Sequence, residues 1–311
     1  MQPVPENAQL PPELFEPVPQ SELDAEEITR PSMSYGRLAW RKFRRDPLAF
    51  GGLIVLGVIV LCAVFGPMLS PYTYTRQNLA NGNMPPSLAH LFGTDKFGRD
   101  IFTRILFGAR ISLSIGILAA LISASIGILY GGISGYVGGK VDMIMMRIVD
   151  ILLSVPLLLY TIVIMMFLGN SMSSIMTAVC FTAWIKTARV VRSQVLTLKD
   201  LEYVLAARLC GANDRQILFR HLIPNAMGPT IVSTALIVPE AIFTEAFLSF
   251  LGIGIQLPMA SWGTLANEAI PMMREFPYQI VFPVIAISVT MFALNFIGDG
   301  MRDALDPHLR K

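Results

Sequence analysis

Four stretches of this 311-residue chain run without a single charged side chain: Ala49–Leu69, Ile111–Val137, Ile151–Leu168 and Phe276–Gly298. A bilayer core about 30 Å thick takes about 20 apolar residues as helix, so each of these is long enough, or nearly so, to cross one. Two weaker segments join them. Met172–Ile185 is short but continues through Lys186 to Val191, and Ala226–Phe250 is long but carries Glu240 and Glu245. The reading is six membrane-spanning helices and an all-α fold. Composition agrees. Apolar residues make up 53% and charged residues 15%, against about 25% charged in soluble domains, and the mean hydropathy is +0.57. Too few charges remain to cover a water-soluble globule.

Basic residues orient the spans, because loops on the cytoplasmic side are enriched in Lys and Arg. With the N-terminus inside, eighteen of the 24 basic residues fall on the cytoplasmic side and six outside. Both termini are then cytoplasmic. Residues 1–33 are rich in acidic residues and proline and read as a disordered cytoplasmic tail, not as a signal peptide, which would start with positive charge. Residues 34–110 hold a basic segment, the first span and an extracytoplasmic segment. In the basic segment Trp40 and Phe43 stand among Arg37, Arg41, Lys42, Arg44 and Arg45, which suits either a short helix in the membrane surface or a plain basic flank. Residues 111–300 form the membrane core, with a long cytoplasmic loop at 189–225, and residues 301–311 a cytoplasmic tail.

Several chemistries are excluded. Gly139-Lys140 is followed by Val141 and has Ser134 where a phosphate loop needs glycine; Gly252-Ile253-Gly254 has Leu257 where a dinucleotide fingerprint needs its third glycine. Three cysteines and three histidines are scattered, leaving no disulfide framework or metal spacing. A net charge of +2 gives no reason to expect nucleic acid. Methionines cluster, but without Cys or His, as fillers of membrane cores do. Any uphill movement must therefore draw on ions or on a separate ATPase chain. An ion-driven carrier needs buried ionisable groups. Counted from Ala226 at 1.5 Å per residue, Glu240 lies roughly 21 Å along its span and Glu245 roughly 28 Å. Glu240 is then the deep carboxylate, with no basic partner, and Glu245 sits near the outer rim. Both are candidates to line a translocation path.

The loop is the more informative feature. Leu201–Gly211 and Ala212–Asn225 have helical composition, broken at Gly211 and stopped at Pro224. Gly211 permits a turn with positive φ, and small Ala206 and Ala207 allow close approach by another protein, so the pair of short helices fits a partner's groove.

Here the sequence resembles a known family. Ala206-Ala207, Gly211 and Pro224, with His221 and Asn225 beside the last, have the spacing of the Glu-Ala-Ala loop of bacterial ABC importer permeases, although Leu205 replaces the usual Glu. Gly93-Thr94-Asp95-Lys96-Phe97-Gly98-Arg99-Asp100 resembles the outer segment of peptide and nickel permeases. Leu248–Gln256 with Ser261-Trp262-Gly263 resembles the loop after their fifth span, and Asn295–Pro307 their C-terminal end. Over roughly residues 36–309 the chain is most similar to the C subunit of oligopeptide permeases, with Tyr130–Asp142 supporting that match and Leu257 departing from the usual proline. The resemblance implies a type I importer permease fold in the bacterial inner membrane. It also implies a second permease chain, two ATP-binding subunits that carry ATP and Mg, an extracytoplasmic substrate-binding protein, and no cofactor on this chain. Peptide is the cargo it implies; nickel or another small solute, and a proton-coupled secondary transporter working through Glu240, are the rival readings.

Overall fold

The structure, a computed structural model, describes residues 35–169, 171–255 and 258–305. The expected tail 1–33, the Gln256–Leu257 departure and the last six residues of the C-terminal tail lie outside the described residues. Of the described residues, those from Ala39 onward belong to one compact unit and those before it to another. Among the described residues the fold is all α, with one isolated bridge between Thr94 and Asp100.

Helix α1 (Tyr35–Arg45) carries the basic segment. Phe43 is buried, stacked on exposed Trp40 at 5.8 Å. Asp46 then caps α2 (Pro47–Leu69), its carboxylate accepting from the N–H groups of Leu48 and Ala49 at 2.9 and 3.2 Å, with Pro47 in the first turn where a missing N–H costs nothing. Asp100 caps α3 (Ile101–Val137). Beyond it come α4 (Gly139–Ser154), α5 (Leu157–Leu168), α6 (Met172–Leu198) and α7 (Glu202–Leu209). The long run α8 (Asp214–Phe250) is followed by short α9 (Trp262–Ala269) and by α10 (Tyr278–Leu305).

Five of these, α2, α3, α6, α8 and α10, are long and apolar enough to cross a membrane; α4 and α5 pass that test only together, bent by 86°. The six expected spans are recovered if the bent pair counts as one, but the third is not the straight helix expected over Ile151–Leu168. Pro156 is the cause. It has no N–H to donate, and its ring pushes Val155 out of the helical region, to φ −92°, ψ 126°.

Two helices start earlier than expected. Helix α3 begins at Ile101, ten residues before the uncharged run, and takes in Arg104 and Arg110. Helix α8 begins at Asp214, so Pro224 does not stop the helix of the loop but lies inside a continuous run. Residues Ile217–Leu222 form π turns, which shift the hydrogen-bond register just ahead of a proline that cannot donate. At 37 residues each, α3 and α8 rise about 55 Å, well beyond a 30 Å hydrocarbon core. Their charged ends stand outside it, and counting uncharged residues could only find the middle.

Helix α3 is the spine. In lipid there is little hydrophobic drive for helices to associate, so close approach through small residues does the work. Gly127, Gly131 and Gly135, spaced one turn apart, face Thr187, Ala188 and Val195 of α6; a Cβ on Gly131 would lie 2.2 Å from the Ala188 carbonyl oxygen. Ser123 closes the same seam, its hydroxyl 2.7 Å from that of Thr187. Gly116 does likewise against Val238 and Ile242 of α8. Because the obstacle at Gly131 is backbone, it cannot swing aside. Gly131→Ala is therefore expected to destabilise the α3–α6 pair by about 1–3 kcal/mol, the range for overpacking a filled interface. Thermal denaturation of the purified protein in detergent checks this: a melting temperature equal to wild type would contradict the tight seam.

Candidate functional site

At one end of the bundle the C-terminal turns of α3 and α6 meet α7 and the start of α8. Val191 and Val195 of α6 cluster with Val204, Ile217, Leu218 and Leu222, forming a small core under the loop. The loop is held to the bundle by polar contacts as well. The Tyr136 hydroxyl donates to Asp214 at 2.6 Å, and Lys199 donates to the Gly135 carbonyl at 3.2 Å. Asn213 and Gln216 cap the start of α8 reciprocally. Gly211 has φ +87°, the left-handed turn expected of it, and a Cβ there would meet nothing within 4 Å. Ala206, Pro224 and Asn225 are exposed, while Ala207 and His221 are half-buried. The Asn225 amide donates back to the His221 carbonyl at 2.6 Å. With Val204 pinned beneath, Leu205 and Leu209 of α7 and Leu201 at its N-cap turn outward along one face, an exposed apolar ridge.

The two carboxylates of α8 behave differently from expectation. Glu240, read as deep and unpaired, is half-exposed and forms an ion pair with Lys186 of α6. Lys186 looked like an interruption of a weak span; it is the missing basic partner. A proton relay needs ionisable groups held away from bulk water, and the Glu240 side chain is half-exposed. Glu245, expected near the rim and beside the path, is 0% exposed. It accepts hydrogen bonds from Ser112 of α3 at 3.1 Å and Ser249 at 2.8 Å. A side chain with no exposed surface lines no path in this structure. Distance along a helix measures depth; which face meets the neighbouring helix decides burial.

At the opposite end, the segment Gly93–Asp100 folds against the first turn of α3 and against α9. Gly93 and Gly98 take positive φ, and the Gly98 Cα lies so near Asn78 that a Cβ would sit 1.8 Å from its carbonyl oxygen. The Thr94 hydroxyl donates to the Asn81 carbonyl at 2.5 Å and accepts from the Met84 N–H at 2.8 Å. Asp100 accepts from the Thr103 N–H at 2.7 Å and lies 3.0 Å from the His90 ring. Asp95 is the hub. It takes the N–H groups of Phe97 and Arg99 on one oxygen, and the guanidinium groups of Arg99 and Arg104 on the other, at 2.6 and 2.8 Å. Glu268 of α9 completes a four-member network, bound by Arg99 at 2.5 Å and in a fork by Arg104 at 2.8 and 3.0 Å. Beside it Trp262 is fully buried and donates to the Ile105 carbonyl at 3.1 Å, while Gly263 and Gly108 let the backbones close in.

Residues 126–311 match the family described as binding-protein-dependent transport system inner membrane component, and residues 34–86 match the N-terminal transmembrane domain of oligopeptide transport permease C. The oligopeptide transport system permease protein OppC of Bacillus subtilis (strain 168) is 49% identical over 97% of this chain and 99% of that protein. The dipeptide transport system permease protein DppC of the same organism is 48% identical over 97% of this chain and 95% of its own length. OppC of Escherichia coli (strain K12) is 43% identical over 88% of this chain and 92% of that protein.

This chain belongs to the binding-protein-dependent transport permeases.

In this permease the Gly93–Asp100 signature is an architectural device: its glycines allow the fold, Asp95 anchors two arginines and Asp100 caps α3. The sequence reading missed Arg104 and Glu268, which stand 164 residues apart. The available signal was an arginine in the first turn of a largely apolar helix and a lone acid in the apolar run after Trp262, since charges in such places come paired. Burial opposes ionisation of Glu268, but the hydrogen bonds and charge of Arg104, with those of Arg99, outweigh it and hold its carboxyl below the usual range. The sign follows: its contribution to stability is complete above the ordinary Glu range near pH 4.5 and is lost as pH falls through the lowered value. Glu268→Gln leaves two nearly buried guanidinium groups sharing Asp95 and should cost about 3 kcal/mol near pH 7. Unfolding of the solubilised permease as a function of pH checks it. The deficit should be constant from pH 7 to 5 and shrink in stronger acid; a Glu268→Gln protein as stable as wild type at neutral pH would contradict the network.

Proposed function

We propose that this chain is the C-type permease subunit of an ATP-driven importer that carries oligopeptides or dipeptides across the bacterial inner membrane. The relatives named above are permeases of oligopeptide and dipeptide transport systems, and they match nearly end to end. In this reading a second, homologous permease chain lies beside it in the membrane. Two ATP-binding subunits on the cytoplasmic side hold ATP and Mg and hydrolyse ATP; this chain binds no cofactor. An extracytoplasmic binding protein delivers peptide to the end formed by Gly93–Asp100 and α9. Both termini are cytoplasmic, as the distribution of basic residues favours.

The observation that carries the coupling is the exposed face of α7. Leu201, Leu205 and Leu209 project from a helix whose only fully buried residue is Val204, and the turn at Gly211 joins α7 directly to α8, which runs the length of the bundle. An apolar ridge lodges in a partner's groove. When the ATPases close, the groove moves α7 together with Ala206, Ala207, Gly211, His221, Pro224 and Asn225, and α8 carries the displacement to Glu240. The two permease chains then alternate between outward-open and inward-open arrangements.

Two experiments test this. Gly211→Leu places a branched side chain at φ +87°, which costs about 1–2 kcal/mol and tilts α7 without touching the bundle. The assembled complex should retain basal ATPase activity while losing its stimulation by binding protein and peptide; wild-type stimulation would remove the coupling role. For orientation, native Cys210 is exposed beside the turn. It should react with an impermeant thiol reagent only after cells are opened, whereas a cysteine replacing Asn81 should react in intact cells. Labelling of Cys210 in intact cells would invert the orientation.

A further inference from the structure

Three features meet on one side of the permease. The first is the break between α4 and α5, where Val155 and Pro156 have extended backbone, with ψ 126° and 136°. The Ser154 hydroxyl donates to the Ile151 carbonyl at 2.7 Å and the Tyr160 hydroxyl to the Leu152 carbonyl at 3.1 Å, replacing helix bonds lost at the bend. Ser154 and Pro156 are exposed. Non-helical backbone at membrane depth is tolerated only inside protein or along water. The second is the Lys186–Glu240 pair, whose side chains are 57% and 50% exposed. Full charges do not face lipid. The third is a cavity of about 240 Å³ between them, lined by Leu153, Pro156, Thr182, Lys186, Glu240 and Thr244 among others. It far exceeds the 10–15 Å³ that one water needs.

The polar character continues along α6. Arg189 pairs with Asp150 of α4 at 2.5 Å, and Arg192 with Asp142 at 2.5 and 2.6 Å. Lys186, Arg189 and Arg192 stand three residues apart, each matched by one carboxylate. These three pairs form a stripe that leads from the cavity toward the α7 end, each basic side chain matched by a carboxylate.

We propose that Lys186 and Glu240 form a subsite for the free termini of zwitterionic peptides, Glu240 receiving the α-ammonium and Lys186 the α-carboxylate. The proposal rests on the peptide-importer reading above and adds the group that the permease itself recognises. A lone Glu240 would favour cationic cargo; paired with Lys186 it has no such bias. Every unmodified peptide brings one ammonium and one carboxylate, so opening the internal pair forms two new pairs whatever the sequence. Leucine, valine and isoleucine walls accept apolar side chains without selecting among them. Empty, the pair closes on itself and leaves no unpaired charge beside the apolar wall.

The test uses the whole transporter, with its partner permease, ATPases and binding protein, reconstituted in vesicles. Trialanine is the free-terminus probe and N-acetyl-trialanine amide the blocked one. Glu240→Gln and Lys186→Met, each measured per assembled complex, should lower trialanine uptake about tenfold, the factor that 1.4 kcal/mol represents. A second measurement leaves the pair intact. In a protein whose native cysteines are replaced by alanine, Thr182→Cys should react with a water-soluble thiol reagent. Trialanine should slow that reaction, and the blocked peptide should not. Unchanged uptake in both variants, an unreactive Cys at 182, or equal protection by the two peptides each overturns the subsite. If the wild-type complex takes up no trialanine while hydrolysing ATP, it is the peptide-importer reading that fails.

Discussion

Everything in this permease hangs on the close approach of α3 to its neighbours. Gly131 lets the Ala188 backbone of α6 come within a distance that no side chain survives, and Gly116 does the same for α8. That intimacy fixes what happens at both ends of α3, because a helix of 37 residues is stiff. At one end Asp100 caps it and Arg104 projects into the Asp95–Glu268 network. At the other, Tyr136 reaches Asp214 at the start of α8. The two ends thus share one rigid reference, against which a moving α7 can do work.

Charges are paired at several places in the molecule. Arg99 and Arg104 meet Asp95 and Glu268; Lys186 meets Glu240; Arg189 meets Asp150; Arg192 meets Asp142. The environments differ, and so do the consequences. Arg99 and Arg104 are almost fully buried, so losing a partner strands a charge. The pairs along α6 are half-exposed or partly so, where water compensates a broken pair and exchange of partners is easy. Rigidity belongs to the first set and adaptability to the second.

What could be read from the sequence depended on whether a residue acts alone. The spans were legible because apolar length is a local property. So was Gly211, whose positive φ needs only its own backbone, and so was the Gly93–Asp100 segment as a unit. Pairings were not legible: nothing near Glu240 announces Lys186, 54 residues away, and nothing near Arg104 announces Glu268. The starts of α3 and α8 were misplaced because charges mark where lipid ends, not where a helix does. Pro224 was taken for a stop because a π turn ahead of it leaves no local trace. Pro156, inside an uncharged run, is by contrast a local signal of the break, since its ring displaces Val155 from the helical region.

Helix α8 gives these parts a common mechanical sense. Near its far end Glu245 is clasped by Ser112 of α3 and by Ser249, and Gly263 presses on the Ala246 backbone. That end cannot shift without unseating a fully enclosed carboxylate. Its near end carries π turns and Pro224, the features at which helices bend. In the proposed coupling, a push delivered by α7 would be absorbed between the two, and Glu240 lies in that interval, one and a half turns short of the clasp. Lys186 sits on α6, which the glycine seam holds to α3. Motion of α8 against α6 would change the Lys186–Glu240 separation directly, because the pair bridges the two helices. Opening that pair is the step at which ATP-driven movement and an arriving charge would meet.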